Sequence, residues 1–264
     1  MSVPNVGRMT KYFAHTVQGS GPGLLLAHGG GGSIAGNYGS ILDELARTHT
    51  VVGPDYPGSG DTPRSTEPLT LDGLADGLVA AAVAAGVDRF TILGYSLGTG
   101  VAVRIASRYP DRVTGLILTS GFTYPSRELL LAADVWRGLL DLDPKLTAKF
   151  CILLASGRET LNSMSAGALE ASIDWLADFI PSGTPDQVDL VKNVDTRAEL
   201  PGISVPTLVI ATTADQLACP DLSRELAAGI PNSELAEIDA GHNIGGEARN
   251  EWLETIQKFL ARID

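Results

Sequence analysis

The sequence predicts an α/β fold, a mostly parallel sheet flanked by helices with one helical insertion, and three observations point there. Short apolar runs alternate with longer helix-period patterns along most of the chain, the signature of βαβ units. That alternation stops at Phe122, gives way to helical patterns alone, and resumes after Pro206. A length of 264 residues and a hydrophobic fraction of 44% suit a single domain with a core large enough to need neither disulfides nor metals.

Taken in order, Gly23 to His28 reads as a buried strand that runs into a glycine cluster. A helix is expected over Ile34 to Thr48, with Ile41, Leu42 and Leu45 on one face. Val51 to Gly53 ends a second core strand, and Asp55 to Gly60 is a turn-rich loop. Thr70 has the side chain to cap an apolar helix that reaches Ala85. Phe90 to Leu93 is a strand, followed by the Gly94–Gly98 turn and a helix to about Tyr109. Val113 to Leu118, Thr207 to Ile210 and Ser233 to Ile238 are the remaining strands. The core is therefore expected over 1–121 and 207–264, with a helical cap over 122–206. Within that cap the periodicity predicts helices over Ser126–Leu142, Pro144–Ala155, Thr160–Phe179 and Pro185–Leu200.

Charge narrows the partners. A formal net charge of −12 and a pI near 4.7 argue against binding nucleic acid or an anionic membrane surface, because a phosphate backbone would be repelled. No apolar run approaches the roughly 20 residues needed to span a bilayer. Met1 to Thr10 lacks an apolar stretch behind a basic start, so a cytoplasmic location is expected. The two cysteines, Cys151 and Cys219, are far apart and have no metal-ligand spacing, which leaves reduced thiols as the expectation.

Gly94-Tyr95-Ser96-Leu97-Gly98 fits G-x-S-x-G and lies between a strand and a helix. A nucleophile on so sharp a turn needs small flanking residues, and the following helix presents its positive dipole end to developing negative charge. A serine hydroxyl needs a base. Of four histidines, His242 follows the last strand, and loops after strands gather at the carboxyl edge of a doubly wound sheet together with Ser96. His15 and His49 are expected to be structural or exposed, and His28 to prop the glycine loop. The base needs a carboxylate to fix its tautomer. Asp215 follows the strand Thr207–Ile210 at that same edge, whereas the Thr119–Phe122 stretch carries no acid. Asp221 is the rival, with helix capping as its expected role. For the oxyanion, Leu97 directly after the nucleophile supplies one backbone N–H. Gly30, or the adjacent Gly31, in His28-Gly29-Gly30-Gly31-Gly32-Ser33 supplies the other. That loop lacks the Gly-Lys-Ser/Thr and G-x-G-x-x-G signatures of phosphate binding.

His28-Gly29, the Asp55–Gly60 loop, Gly94–Gly98, Asp215 and Gly241-His242 together resemble the α/β-hydrolase family over nearly the whole length. Within it the chain is similar to small cap-bearing esterases, lactonases, cofactor-free haloperoxidases and carbon–carbon bond hydrolases. The resemblance implies an eight-stranded sheet, no metal and no organic cofactor. Serine rather than aspartate at position 96 argues against dehalogenases and epoxide hydrolases. The His-Gly loop argues against carrier-protein thioesterases.

The expected chemistry is acyl transfer from an ester, lactone or similar carbonyl of a small, mainly apolar molecule to water. A lyase that uses the same residues to eliminate a carboxylate such as acetate in natural-product tailoring is the second reading. A ligand-binding protein on this fold is the third, and an intact nucleophile, base and acid weigh against it.

Overall fold

The computed structural model describes residues 13–263. Its sheet has the strands β1 (His15–Gln18), β2 (Gly23–Ala27), β3 (Thr50–Pro54), β4 (Phe90–Tyr95), β5 (Val113–Thr119), β6 (Thr207–Thr212) and β7 (Ser233–Ile238). Their spatial order is β1-β3-β2-β4-β5-β6-β7, with β1 antiparallel to β3 and every other pair parallel. Among the described residues the sheet thus has seven strands rather than eight. It ends at β1, and the chain before Phe13 lies outside the described residues.

β2 to β6 lie inside the sheet with helices over both faces, so their sequences are almost continuously apolar. The pleat sorts them. Leu25, Ala27, Ile92, Leu116 and Val209 face one core with α3 (Leu71–Ala84), α4 (Leu97–Arg108) and α10 (Pro220–Gly229). Leu24, Leu26, Leu93, Ile117 and Ile210 face the other, with α1 (Ile34–Tyr38), α2 (Leu42–Leu45) and α12 (Arg249–Ile263). There Trp252 is fully buried and donates its indole N–H to Thr119 Oγ1 at 3.1 Å.

α1 and α2 replace the single helix expected over Ile34–Thr48. Gly39 and Ser40 are weak helix formers, and Ile41 leaves helical geometry (φ −124°) to bury its side chain completely. Between β5 and β6 the chain forms α5 (Arg127–Leu140), α6 (Pro144–Ala155), α7 (Arg158–Ser163), α8 (Ala166–Asp178) and α9 (Thr184–Val191), with no strand. The helix expected over Thr160–Phe179 is broken at Met164, because the Ser165 hydroxyl caps α8 by accepting from Ala168 N–H. The helix expected over Pro185–Leu200 stops at Val191, and only a 3-10 turn follows at Leu200–Gly202. After β7, α11 (Ile244–Glu247) precedes α12.

Strand order reverses about β2, since β3 lies on one side of it and β4 on the other. Ala27 pairs with Gly94, so the glycine loop after β2 and the turn after β4 leave the sheet side by side. Such a switch point is where open α/β sheets form clefts.

Candidate active site

Ser96 sits between β4 and α4 with φ 54° and ψ −121°, a conformation that non-glycine residues rarely adopt. Its N–H is tied to Thr119 O at 3.0 Å, and its side chain makes no capping bond to α4. The flanking glycines are required by contact. A β-carbon at Gly94 would lie 2.6 Å from Gly98 O, and the reciprocal helix residue has no room either. The strained turn leaves the Ser96 hydroxyl free to meet a base.

His242 reaches that hydroxyl. Its Nε2 lies 3.0 Å from Ser96 Oγ, and its Nδ1 lies 2.7 Å from Asp215 Oδ2. The carboxylate is fully engaged. Oδ1 accepts from the N–H groups of Leu217 and Ala218 at 2.8 and 2.9 Å. Oδ2 also accepts from Thr212 Oγ1 at 3.0 Å, and Ser120 Oγ stands 2.9 Å behind that hydroxyl. With the Thr212 proton committed to the carboxylate, Ser120 is the donor to Thr212. Position 120, which offers no acid, thus supports the acid from the neighbouring strand. Both His242 and Asp215 are buried, while Ser96 retains some access to solvent.

Asp221 is elsewhere. It lies in the first turn of α10 and pairs with Arg224 at 2.7 Å. The expected capping bond is absent because α10 starts one residue earlier, at Pro220, with Cys219 as its cap residue.

Gly30 and Gly31 differ in their hydrogen bonds. Gly29 N–H donates to Asn37 Oδ1 (2.8 Å), Gly31 N–H to Gln187 Oε1 (2.8 Å) and Gly32 N–H to Gly29 O (3.3 Å). Among the described residues only the Gly30 N–H of this run has no acceptor. Leu97 N–H is likewise open, as the first amide of α4 must be. A β-carbon at Gly30 would stand 3.8 Å from Leu97 Cβ, which places the two open amides on neighbouring stretches of backbone.

His28 is fully buried beneath this loop. It donates from Nδ1 to Gly29 O (2.8 Å) and accepts at Nε2 from Tyr56 N–H (2.9 Å), which requires the neutral ring. Burial lowers its pKa to about 4, against a smaller opposing effect of the Gly29 hydrogen bond. His28 therefore braces the loop. His15 bonds to Phe13 O from the edge strand, and buried His49 meets Thr48 Oγ1.

Two further residues support the His242 turn, Tyr95 and Glu247, neither of them among the expected site residues. The buried Tyr95 hydroxyl donates to the His242 carbonyl, and burial, then the charges of Asp215 and Glu247, raise its pKa well above the ordinary phenol range. It stays a donor. Glu247 accepts from Gly241 N–H (3.0 Å), Gly157 N–H (3.0 Å) and Thr160 Oγ1 (3.0 Å), joining the His242 turn to the start of α7. Asn243 N–H adds a bond to Ala155 O at 2.8 Å. Position within the motif points to Tyr95; nothing local points to Glu247.

Relatives share this frame. A protein-family model for the alpha/beta hydrolase fold matches residues 22–248. Pyrrolizixenacetamide deacetylase of Xenorhabdus hominickii is 29% identical over 254 residues, 95% of each chain. A thermophilic esterase from Thermogutta terrifontis has a TM-score of 0.81 at 25% identity, covering 95% of this chain and 93% of that one. An enol-lactonase from Burkholderia xenovorans LB400 has a TM-score of 0.82 at 22% identity, covering 94% of this chain and 96% of that one, a likeness of fold. With the family model spanning well over half the sequence, this chain belongs to the α/β-hydrolase fold family and is an enzyme of that family.

Proposed function

We propose that this protein is a serine hydrolase that cleaves an ester, lactone or similar acyl carbonyl of a small, mainly apolar molecule. The observation that carries the reading is one continuous relay, Ser96 Oγ to His242 Nε2 at 3.0 Å and His242 Nδ1 to Asp215 Oδ2 at 2.7 Å, beside the open amides of Gly30 and Leu97. Ser96 attacks the carbonyl carbon as His242 takes its proton. The developing oxyanion is held by Gly30 and Leu97 N–H groups, each worth about 3–4 kcal/mol of barrier in such sites. His242 then protonates the leaving group, deprotonates water and returns the proton to Ser96 when the acyl-enzyme is hydrolysed. Asp215 holds Nδ1 protonated throughout.

The helices α5–α9 act as the cap that selects the substrate. The names of two relatives support the reaction class, a deacetylase at 29% identity and an esterase at 25%. Turnover of p-nitrophenyl acetate in ¹⁸O-water tests the proposal. Label in the acetate, lost in Ser96→Ala, is the expected result. Turnover of acyl esters that leaves both products unlabelled would replace hydrolysis by elimination.

A further inference from the structure

The Gly31 N–H is committed to a side chain from 156 residues further along the chain. Gln187 lies on α9 and is fully buried. Its Oε1 accepts from Gly31 N–H at 2.8 Å, and its Nε2 donates to Ser59 Oγ at 2.9 Å and reaches Pro57 O at 3.3 Å. Ser59 Oγ in turn donates to Gly32 O at 2.7 Å. The result is a closed ring, from Gly31 N–H through Gln187 and Ser59 back to Gly32 O.

Glycine peptides rotate readily, and Gly31 already has a φ of 69°. Fixing Gly31 N–H fixes the whole Gly30–Gly31 peptide plane, because the amide is rigid. Without that bond the plane can flip and carry Gly30 ψ with it. A second amide would also be released to compete for solvent. α9 is itself anchored: Gly183 N–H donates to Gly58 O at 3.0 Å, and Asp186 pairs with Arg64 at 2.6 Å. The acceptor that orients the glycine loop is therefore delivered by the α5–α9 segment, not by the sheet.

We propose that Gln187 is a positioning residue for the oxyanion site: it fixes Gly30 ψ from the Gly31 side, while His28 holds the Gly29 carbonyl at 2.8 Å on the peptide that carries the Gly30 N–H, so the donor is clamped on both sides. The inference rests on the serine-hydrolase reading above. It concerns geometry reached only in the transition state, so it separates from simple stability. A lost oxyanion donor costs about 10²–10³ in rate in such sites, and a donor left in place but misaligned costs part of that.

The test uses the full-length protein with p-nitrophenyl acetate as substrate and phenylboronic acid, a mimic of the tetrahedral intermediate, as inhibitor. Gln187→Met, which keeps length and removes the acceptor, should lower kcat by about ten- to a hundredfold with KM nearly unchanged. Phenylboronic acid affinity should fall by a similar factor. Gln187→Glu retains an acceptor for Gly31 but loses the donor to Ser59 Oγ, and should recover part of both. Ser59→Ala leaves the Gln187 acceptor in place but opens the ring, and should show the same pattern at smaller size. If Gln187→Met does not fold, Ser59→Ala and Gln187→Glu carry the test through the same two readouts. Lowered thermal stability with wild-type kcat and boronate affinity would overturn the inference. Failure of the underlying reading looks different: Ser96→Ala would then keep its activity, whatever the Gln187 variants do.

Discussion

A β-carbon placed on Gly98 would sit 2.0 Å from the carbonyl oxygen of Ala27, closer than any real contact, so helix α4 and strand β2 touch through a glycine. Gly98→Ala must push α4 away from the sheet and take Leu97 N–H with it. We expect a loss of at least about 2 kcal/mol, read as a lower urea midpoint, together with lost turnover. Gly138→Ala is the matched control. A β-carbon there meets nothing within 4 Å on helix α5, so a gain of about 0.5–1 kcal/mol is expected. Equal effects of the two changes would contradict the packing argument.

Removing the nucleophile should separate catalysis from folding. Ser96→Ala deletes a hydroxyl that makes no capping bond to α4, and it should lower turnover by about 10³-fold or more with an unchanged urea midpoint. A fluorophosphonate probe should label Ser96 in the parent, and peptide mapping should find no adduct in the variant. Modification at another serine would move the nucleophile.

For the acid, the four hydrogen bonds of Asp215 set the outcome of Asp215→Asn. The Leu217 and Ala218 amides hold the remaining oxygen on their side, which turns the new NH₂ toward His242 Nδ1. The imidazole must then accept there and carry its proton on Nε2, facing Ser96. A fall in kcat of up to about 10⁴ is expected. Asp221→Asn should be silent, since Asp221 is an exposed partner of Arg224. Stopped-flow or steady-state kinetics on both variants decides between them.

The neutral ring of His28 makes stability depend on pH. Its pKa is about 4 when folded, against an ordinary value of 6.5. The unfolded chain therefore binds the extra proton between those values, and stability is full above about pH 6.5 and drops as pH falls toward 4. The loss is about 3 kcal/mol for this group. Asp55 faces Nε2 at 3.9 Å, and burial raises its carboxyl pKa, which gives the opposite slope from the ordinary carboxylate range upward. Thermal melts of the parent and His28→Gln from pH 7.5 to 4.5 isolate the histidine, and the variant should show the flatter curve.

Glu247→Ala should strip the acceptors from Gly241 N–H, Gly157 N–H and Thr160. Buried donors left unpaired cost about 1–3 kcal/mol, and the His242 turn loses a tether. Lower kcat with faster hydrogen exchange at Gly157 and Gly241 is expected by mass spectrometry. Unchanged exchange at both glycines would remove Glu247 from this role.

Much of this was legible in the sequence because parallel strands buried on both faces must be apolar throughout. Leu24-Leu25-Leu26 and Thr207–Ile210 could hardly be anything else. The G-x-S-x-G turn was legible for a steric reason, and His242 and Asp215 because loops after parallel strands share one edge. Boundaries inside the helical stretch were less visible. Apolar periodicity runs straight through Ser165, and only the capping bond to Ala168 shows that the helix restarts there. Nothing in the sequence distinguishes the Gly30 and Gly31 amides, since it is Gln187 on α9 that occupies the second, and tertiary partners carry no local signal.

The short junction from Ala155 to Gly157 meets the His242 turn through Asn243 N–H and Glu247, and its Ser156 carbonyl accepts from Gln216 next to Asp215. The inserted helices are consequently not an exchangeable part. A segment transplanted from a relative with any side chain at position 157 would bring a β-carbon 2.7 Å from Glu247 Oε2 and displace the carboxylate that accepts from Gly241 N–H. Substitution has its freedom along the outer turns of α5 and α8, where Leu131, Val135 and Trp175 are exposed, while this seam has to be inherited intact.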